Sequence, residues 1–366
     1  GALMAGRITQ DLTALMAVPG LAGHEGRVRA AIAARLDAIG LTHRTDRLGN
    51  LIVTVPGTRP SVMVFAHMDQ LGLIIRRIEA DGRVRVHRLG GVPERLLPGQ
   101  AVLATTRAGT DLPGVIATTA HHATPAEQKY RAEPADALTI DFGIDSADAA
   151  RAAGLEIGVP VTYRPQVLEL AGGRIAGTSV DDRAGCAVLL DLARRVAAAP
   201  PGPETHLVFT VQEEFNLRGA QVAAQALAPD IALQLDLMLA TDTPEMADRG
   251  EMALGAGPGM SLYSFHGRGT LNGVLPHPAL VDLMERTAEA EGTGLQRAAT
   301  VGVLTDLSYV QLVGAGVAAL DLGFPMRHSH APTEMVDPAD LEGLARLLAG
   351  ALPRIGPDFP LERDGR

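Results

Sequence analysis

Acidic and histidine residues follow the apolar runs of this sequence at four places, and that placement restricts the fold. Ser61 to Ala66 (S-V-M-V-F-A) runs into His67-Met68-Asp69, and Thr205 to Val211 precedes Glu213-Glu214. Ile231 to Leu235 precedes Asp236, and Val317 to Leu322 comes shortly before His330. Short apolar runs of this kind form strands buried on both faces of a sheet. Asn50 to Val55 reads as a further strand. Between them lie amphipathic patterns, first Glu25 to Gly40, where Val28, Ile32, Leu36 and Ile39 share one side. Helices are also expected at Arg183 to Ala198, Gly219 to Ala226, Pro278 to Glu291 and Pro338 to Leu352. Strands alternating with helices predict an α/β fold with a largely parallel sheet covered by helices on both faces. In such sheets the carboxyl ends of the strands form the ligand crevice, so four clusters meet in one place. Asp181-Asp182, at the start of a helix, is placed to join them.

The texture changes at about Leu71. Arg83-Val84-Arg85-Val86-His87 alternates with period two after the turn signal Asp81-Gly82. Turn-rich β segments, among them Gly114 to Thr118 and Ala137 to Phe142, continue to about Gln166. Residues 71–166 are therefore expected to form a smaller β-rich domain inserted into a catalytic domain made of 1–70 and 167–366. A chain of 366 residues suits two domains. The net charge of −10, with Lys129 the only lysine, argues against a nucleic-acid partner. The apolar stretches fall short of the roughly 20 residues that span a bilayer, so no membrane partner is expected. One cysteine, Cys186, cannot form an internal disulfide. No export signal is read at the N-terminus, whose Gly1-Ala2-Leu3 is set aside as a cloning remnant, and the cytoplasm is the expected compartment.

Histidine nitrogens and carboxylate oxygens are what a zinc or cobalt site takes. Two such ions about 3.5–4 Å apart can share a bridging carboxylate and a water. That arrangement needs two histidines, a bridging acid, two terminal acids and one more acid as base, and the sequence holds this inventory. No G-x-S-x-G elbow supports a serine hydrolase. Gly255-Ala256-Gly257 lacks the later glycine and acidic partner of a dinucleotide site.

The strings A-H-M-D-Q-L-G (66–72), S-V-D-D-R-A-G-C (179–186), V-Q-E-E-F-N-L-R-G-A (211–220), L-D-L-M-L-A-T-D-T-P (235–244) and M-R-H-S-H-A-P-T-E (326–334) carry a resemblance. In order and spacing they resemble the five signatures of the TET or deblocking aminopeptidases, the glutamyl-aminopeptidase-like family 42 of the metallopeptidases. The resemblance implies a hydrolase that removes N-terminal residues from short peptides with two divalent metal ions, zinc or cobalt, per subunit. It also implies the mixed, mostly parallel sheet of a di-metal aminopeptidase, flanked by helices, and a homo-oligomer, dimers assembling to a dodecamer, with the inserted, barrel-like domain making the dimer.

Carried over by position, the resemblance makes His67, Asp181 and Asp236 ligands of one metal and Asp181, Glu214 and His330 ligands of the other. Glu213 is then the general base toward a metal-bridging water. Asp69 accepts a hydrogen bond from the far nitrogen of His67, fixing its tautomer. Two departures stand out. Phe215-Asn216 follow the glutamate pair where the family commonly has Val-Gly, and Arg327-His328-Ser329-His330 replaces the usual Arg-Tyr-Met-His. His328 and His330 would share one side of an extended strand. Pro332 and Glu334 follow His330 at the family's spacing, so His330 is taken as the ligand and His328 as its neighbour. His121-His122, in the inserted region, is a candidate to reach an active site across a subunit interface, and Asp306, in G-V-L-T-D, a candidate to shape the substrate pocket.

Two other readings compete. The di-zinc carboxypeptidases and N-acyl-amino-acid deacylases use the same ligand order on a related fold, but their insertion lies between the fourth ligand and the final histidine. Here the β texture falls between His67 and Asp181, which favours the aminopeptidase. A non-catalytic metal-binding scaffold would have lost the base or a ligand, and every named group is present.

Overall fold

The computed structural model describes residues 6–266 and 271–365, so Gly1-Ala2-Leu3 lie outside the described residues. The chain begins with helices α1 (Arg7–Met16) and α2 (Gly26–Ile39) and strands β1 (His43–Thr45), β2 (Leu51–Val55) and β3 (Thr58–His67). Helix α2 buries Val28, Ile32 and Leu36 and ends at Gly40, whose φ of 83° is the left-handed cap that favours glycine. Next come β4 (Gly72–Ile78), β5 (Val84–Leu89), β6 (Ala101–Thr105), β7 (Asp111–Ile116), β8 (Thr139–Asp141), the short α3 (Ala147–Ala152) and β9 (Pro160–Tyr163). Strands β4 to β9 close a barrel in the order β4-β5-β8-β7-β6-β9. It has its own apolar core, with Leu73, Ile75, Val86, Val102, Ile140 and Val161 inside.

After the barrel follow β10 (Val167–Glu169), β11 (Ile175–Gly177), α4 (Val180–Ala198), β12 (Pro203–Thr210), α5 (Gly219–Leu227), β13 (Ile231–Leu239), β14 (Gly259–Phe265) and β15 (Gly273–Val274). The chain finishes with α6 (Pro278–Glu291), β16 (Gln296–Val301), α7 (Leu307–Val310), β17 (Ala318–Met326), β18 (Glu334–Val336) and α8 (Pro338–Ala351). Among the described residues, nine strands form the main sheet in the order β1-β2-β12-β3-β13-β17-β14-β15, with β16 paired to β14. Strands β12, β3, β13 and β17 are parallel, while β2 and β14 run against them. The sheet therefore has the parallel centre that the alternation of strands and helices predicts and the mixed character that the resemblance implies.

Strand β3 reads as continuously apolar because it is covered twice. Val62, Val64 and Ala66 face the large core under α1, α4, α6 and α8, whereas Met63 and Phe65 face a smaller one under α5 and α7. Strands β10, β11 and β18 form a separate three-stranded sheet that joins the exit from the barrel to the loop after β17. Among the described residues no helix is long and apolar enough to cross a membrane.

The structure departs from the sequence reading at several elements. Strand β13 was expected to stop before Asp236, but it stays in register with β17 through Leu239, so Asp236 lies within the strand. Pairing partner, not local polarity, sets its end. Helix α1 was not expected, although Ile8, Leu12 and Leu15 pack at helical spacing on the core. The edge formed by β14, β15 and β16 was also missed, because these strands are partly exposed and their apolar residues are interrupted by polar ones instead of forming a continuous run.

Candidate metal and catalytic site

His67 closes β3 beside Thr210, the last residue of β12. Its Nε2 is 3.1 Å from Asp181 Oδ1, 3.5 Å from Glu213 Oε2 and 3.7 Å from Asp236 Oδ2. His330 Nε2 lies 3.4 Å from the other Asp181 oxygen, Oδ2, and 3.9 Å from Glu214 Oε1. Asp181 thus turns one oxygen to each histidine, the geometry a bridging carboxylate requires. Asp181, Glu214 and His330 each offer a ligand atom within 4.8 Å of the others; so do His67, Glu213 and Glu214, and so do His67, Asp182 and Asp236. Helix α4 supplies Asp181 and Asp182 before its regular turns begin, since both depart from helical φ/ψ. The Asp182 carboxylate, besides lying near His67 and Asp236, accepts the His67 and Gly185 backbone N–H groups, each at 3.1 Å.

The glutamate pair is held by its own backbone. After β12 ends, Gln212 takes a left-handed φ of 56°, the bend that lets adjacent side chains reach one cluster. The N–H groups of Gln212, Glu213 and Glu214 then donate to Glu25 Oε2 (2.8 Å), Asp69 Oδ1 (3.0 Å) and Asp69 Oδ2 (2.9 Å). Asp69 therefore does more than expected. His67 Nδ1 lies 2.9 Å from the Asp69 carbonyl oxygen and 3.4 Å from its carboxylate, so the main chain is the nearer acceptor for a proton on Nδ1. Nε2 is left to face the acids.

The electrostatics are those of a cluster with too few cations. Burial, reinforced by neighbouring carboxylates, raises Glu213, Glu214 and Asp236 well above the usual carboxylate range. For Asp181 burial acts in the same direction, but hydrogen bonds from His330 and His67 outweigh it and hold the group low. Burial lowers His330, yet Asp181 and Glu214 overcome that effect and bring it up to about 10. Hard oxygen and imidazole donors crowded at these distances, with net negative charge, fit divalent cations.

Residues to which the sequence reading gave no part in the site complete it. Glu334, buried in β18, accepts the Asp181 N–H at 3.1 Å through one oxygen and the His330 N–H at 2.8 Å through the other. It pins two loops that carry cluster residues. The barrel contributes Gly91, whose carbonyl lies 2.8 Å from His330 Nδ1, and a Cβ built on Gly91 would stand 2.9 Å from the same nitrogen. Arg183 is fully buried, and its guanidinium donates to the carbonyls of Met68 (2.8 Å), Leu15 and Val18 (2.7 Å). These partners are main-chain atoms, which leave no trace in a sequence pattern.

The remaining candidates separate. His328 is exposed and outside the cluster, and the expected extended strand is absent there: β17 stops at Met326, and His328 and His330 have φ of 64° and 65°. His121 and His122 sit on an exposed barrel loop. Asp306 is buried at the start of α7 and bonds Gln234 Nε2, which lies 3.4 Å from Asp236 Oδ2. Burial pushes Asp306 up to about 7. Asn216 lines the cavity over the cluster, while Phe215 lies under the Arg218 guanidinium at 5.2 Å.

That cavity, about 370 Å³, is lined by Asp181, Glu213, Glu214, Asp236 and His330 together with Leu237 and Leu239. A larger cleft of about 990 Å³ opens on the barrel among Arg83, Arg95 and Lys129, but none of the cluster residues lines it. The profile of the family described as M42 glutamyl aminopeptidase matches residues 49–347. The lysyl aminopeptidase of Pyrococcus furiosus is 29% identical, covering 93% of this chain and 96% of its own. The solved structure of aminopeptidase APDkam598 from the archaeon Desulfurococcus kamchatkensis has a TM-score of 0.90 at 30% identity, over 97% of this chain and 96% of that one. The Pyrococcus horikoshii TET1 peptidase, which can assemble into a tetrahedron or a large octahedral shell, has a TM-score of 0.85 at 27% identity, over 95% and 100% of the two chains. A barrel inserted between His67 and Asp181, a carboxylate and histidine cluster at the ends of the parallel strands and a family match across most of the sequence agree: the chain belongs to the M42 glutamyl aminopeptidase family and is a metallo-aminopeptidase.

Proposed function

We propose that His67, Asp181 and Asp236 hold one divalent cation and Asp181, Glu214 and His330 a second, zinc or cobalt, for removing the N-terminal residue of short peptides. The observation that carries this reading is Asp181, with one oxygen toward each histidine at 3.1 and 3.4 Å. When bound, such ions supply Lewis-acid polarisation of a carbonyl and a lowered pKa for water. Glu213 is the base in this reading. Its backbone is fixed by Asp69, and its buried carboxylate, raised in proton affinity, takes a proton from water and hands it to the leaving amine. Asp69 keeps the Nε2 of His67 turned into the cluster, and Glu334 holds Asp181 and His330 at their separation. Prolonged chelation is expected to abolish hydrolysis of aminoacyl-amide substrates, and zinc or cobalt to restore it. Full turnover by protein stripped of metal would contradict the reading.

Residues 71–166 serve in this reading as the dimerisation domain of a homo-oligomer, dimers assembling to a dodecamer. Support comes from the separate barrel core and from apolar side chains left outside it: Val115 is 51% exposed, Ile157 74% and Tyr130 94%. The shells formed by the TET1 relative point the same way. His121 lines a cleft with Tyr130, and in this reading His121 and His122 approach a neighbouring subunit's cavity. The single cysteine, Cys186, is buried and fits a cytoplasmic location.

A further inference from the structure

A second cavity of about 20 Å³ adjoins the one over the cluster and shares Asp236, Leu237, Leu239, Val303 and Thr305 with it. A space of that size holds one water-sized group. The lining it shares with that cavity is apolar at Leu237, Leu239 and Val303 and polar at Asp236 and Thr305, and beyond it Asp321 and Ser264 line the recess as a polar floor. Strand pairing sets Asp321 opposite Gln234, two positions from the pair of Gly323 and Asp236, so the acid lies one step deeper in the sheet than the cluster.

Among the described residues neither floor group has a cationic partner, and Ser264 has no hydrogen-bond partner at all. Asp321 is 4% exposed, and among the described residues only Thr305 Oγ1, at 2.9 Å, donates to it, with no cationic side chain paired. Ser264 Oγ is buried without a hydrogen-bond partner. A buried carboxylate and a buried hydroxyl left this way are costly, unless a ligand brings donors and charge. Burial pushes Asp321 up to about 7, and a cation seated beside it would draw it back down.

We infer that this recess is the specificity pocket for the substrate's N-terminal side chain and selects lysine. The inference rests on the proposed peptide-hydrolysing reading of the adjoining cluster. Lysine has a flexible apolar stem for the Leu237 and Val303 walls and a compact ammonium, about water-sized, with three donors for Asp321 and Ser264. The planar guanidinium of arginine is too broad for the recess. A glutamate side chain would bring a second carboxylate against Asp321, which like-charge repulsion opposes.

The test is kcat/KM of the metal-loaded protein on lysine, norleucine, arginine and glutamate amides. Norleucine matches the lysine stem and lacks the ammonium. Lysine is expected to exceed norleucine by at least about thirtyfold, the lower end for a buried charge pair against its truncated partner, with arginine slower than lysine and glutamate slowest. In Asp321→Asn the lysine-to-norleucine ratio is expected to collapse toward one, while Asp321→Glu retains lysine preference. Norleucine hydrolysed as fast as lysine by the unaltered protein, or an unchanged ratio in Asp321→Asn, would overturn the inference and leave the peptidase reading standing. If none of the amides is hydrolysed, both readings fail. The comparison within the unaltered protein decides the matter even if Asp321→Asn does not fold.

Discussion

Asp181 and the two histidines set the logic of the site at the scale of single residues. Each oxygen of Asp181 meets a different imidazole, and each imidazole has its other nitrogen near a main-chain carbonyl, Asp69 for His67 and Gly91 for His330. The two ring nitrogens thus have separate tasks, one toward the scaffold and one toward the ligand. His330→Ala is accordingly expected to lose one metal ion per subunit, whereas His328→Ala, an exposed position outside the cluster, retains both. Metal analysis of the purified variants checks this, and the reverse result would mean that the wrong histidine of the pair was chosen. The cluster residues were legible in the sequence because their chemical types follow apolar runs or, for Asp181, open a helix, although Asp236 lies inside β13 rather than at its end. The parts of Glu25, Gly91, Arg183 and Glu334 were not, Glu334 having served only as a spacing mark, because Glu25, Arg183 and Glu334 bind backbone N–H or carbonyl groups and Gly91 offers its own carbonyl, contacts that only the fold creates.

At the scale of elements, the cavity is built where the barrel meets the sheet. The turn after β5 delivers Gly91 to His330, across 239 positions of sequence, and a side chain there has no room. Gly91→Val is therefore expected to push His330 aside and weaken retention of one ion by about 10–100-fold, the usual cost of disturbing a group that orients a metal ligand. Titration of metal into the chelated variant measures it, and unaltered affinity would mean that the turn is free to retreat. Elements with strong local signals were readable. Helix α6 follows its 3.6-residue pattern from Pro278 to Glu291, and the Asp81-Gly82 turn joins β4 to β5. The end of β13 was not readable, since Asp236 continues a strand whose length is fixed by β17, nor was the β14 edge, where half-exposed strands carry a weak alternation.

The whole molecule has an apolar core on each face of the sheet and another inside the barrel, and leaves Tyr130 and Ile157 outside all three. Sedimentation at micromolar concentration is expected to give a large homo-oligomer, and Tyr130→Glu with Ile157→Glu to shift it toward smaller species; a monomer in the unaltered protein would contradict the assembly. The central claim is that the pocket at the strand ends is a two-cation hydrolytic site in which Glu213 moves the proton and Glu214 holds metal. It is tested most directly by metal content and turnover measured together on Glu213→Gln, a change that keeps shape and removes basicity. The account predicts close to two ions per subunit with a rate reduced by about 10²–10⁴, the usual worth of a positioned acid–base group. Near-normal turnover, or loss of an ion from this variant while Glu214→Gln keeps both, would contradict it.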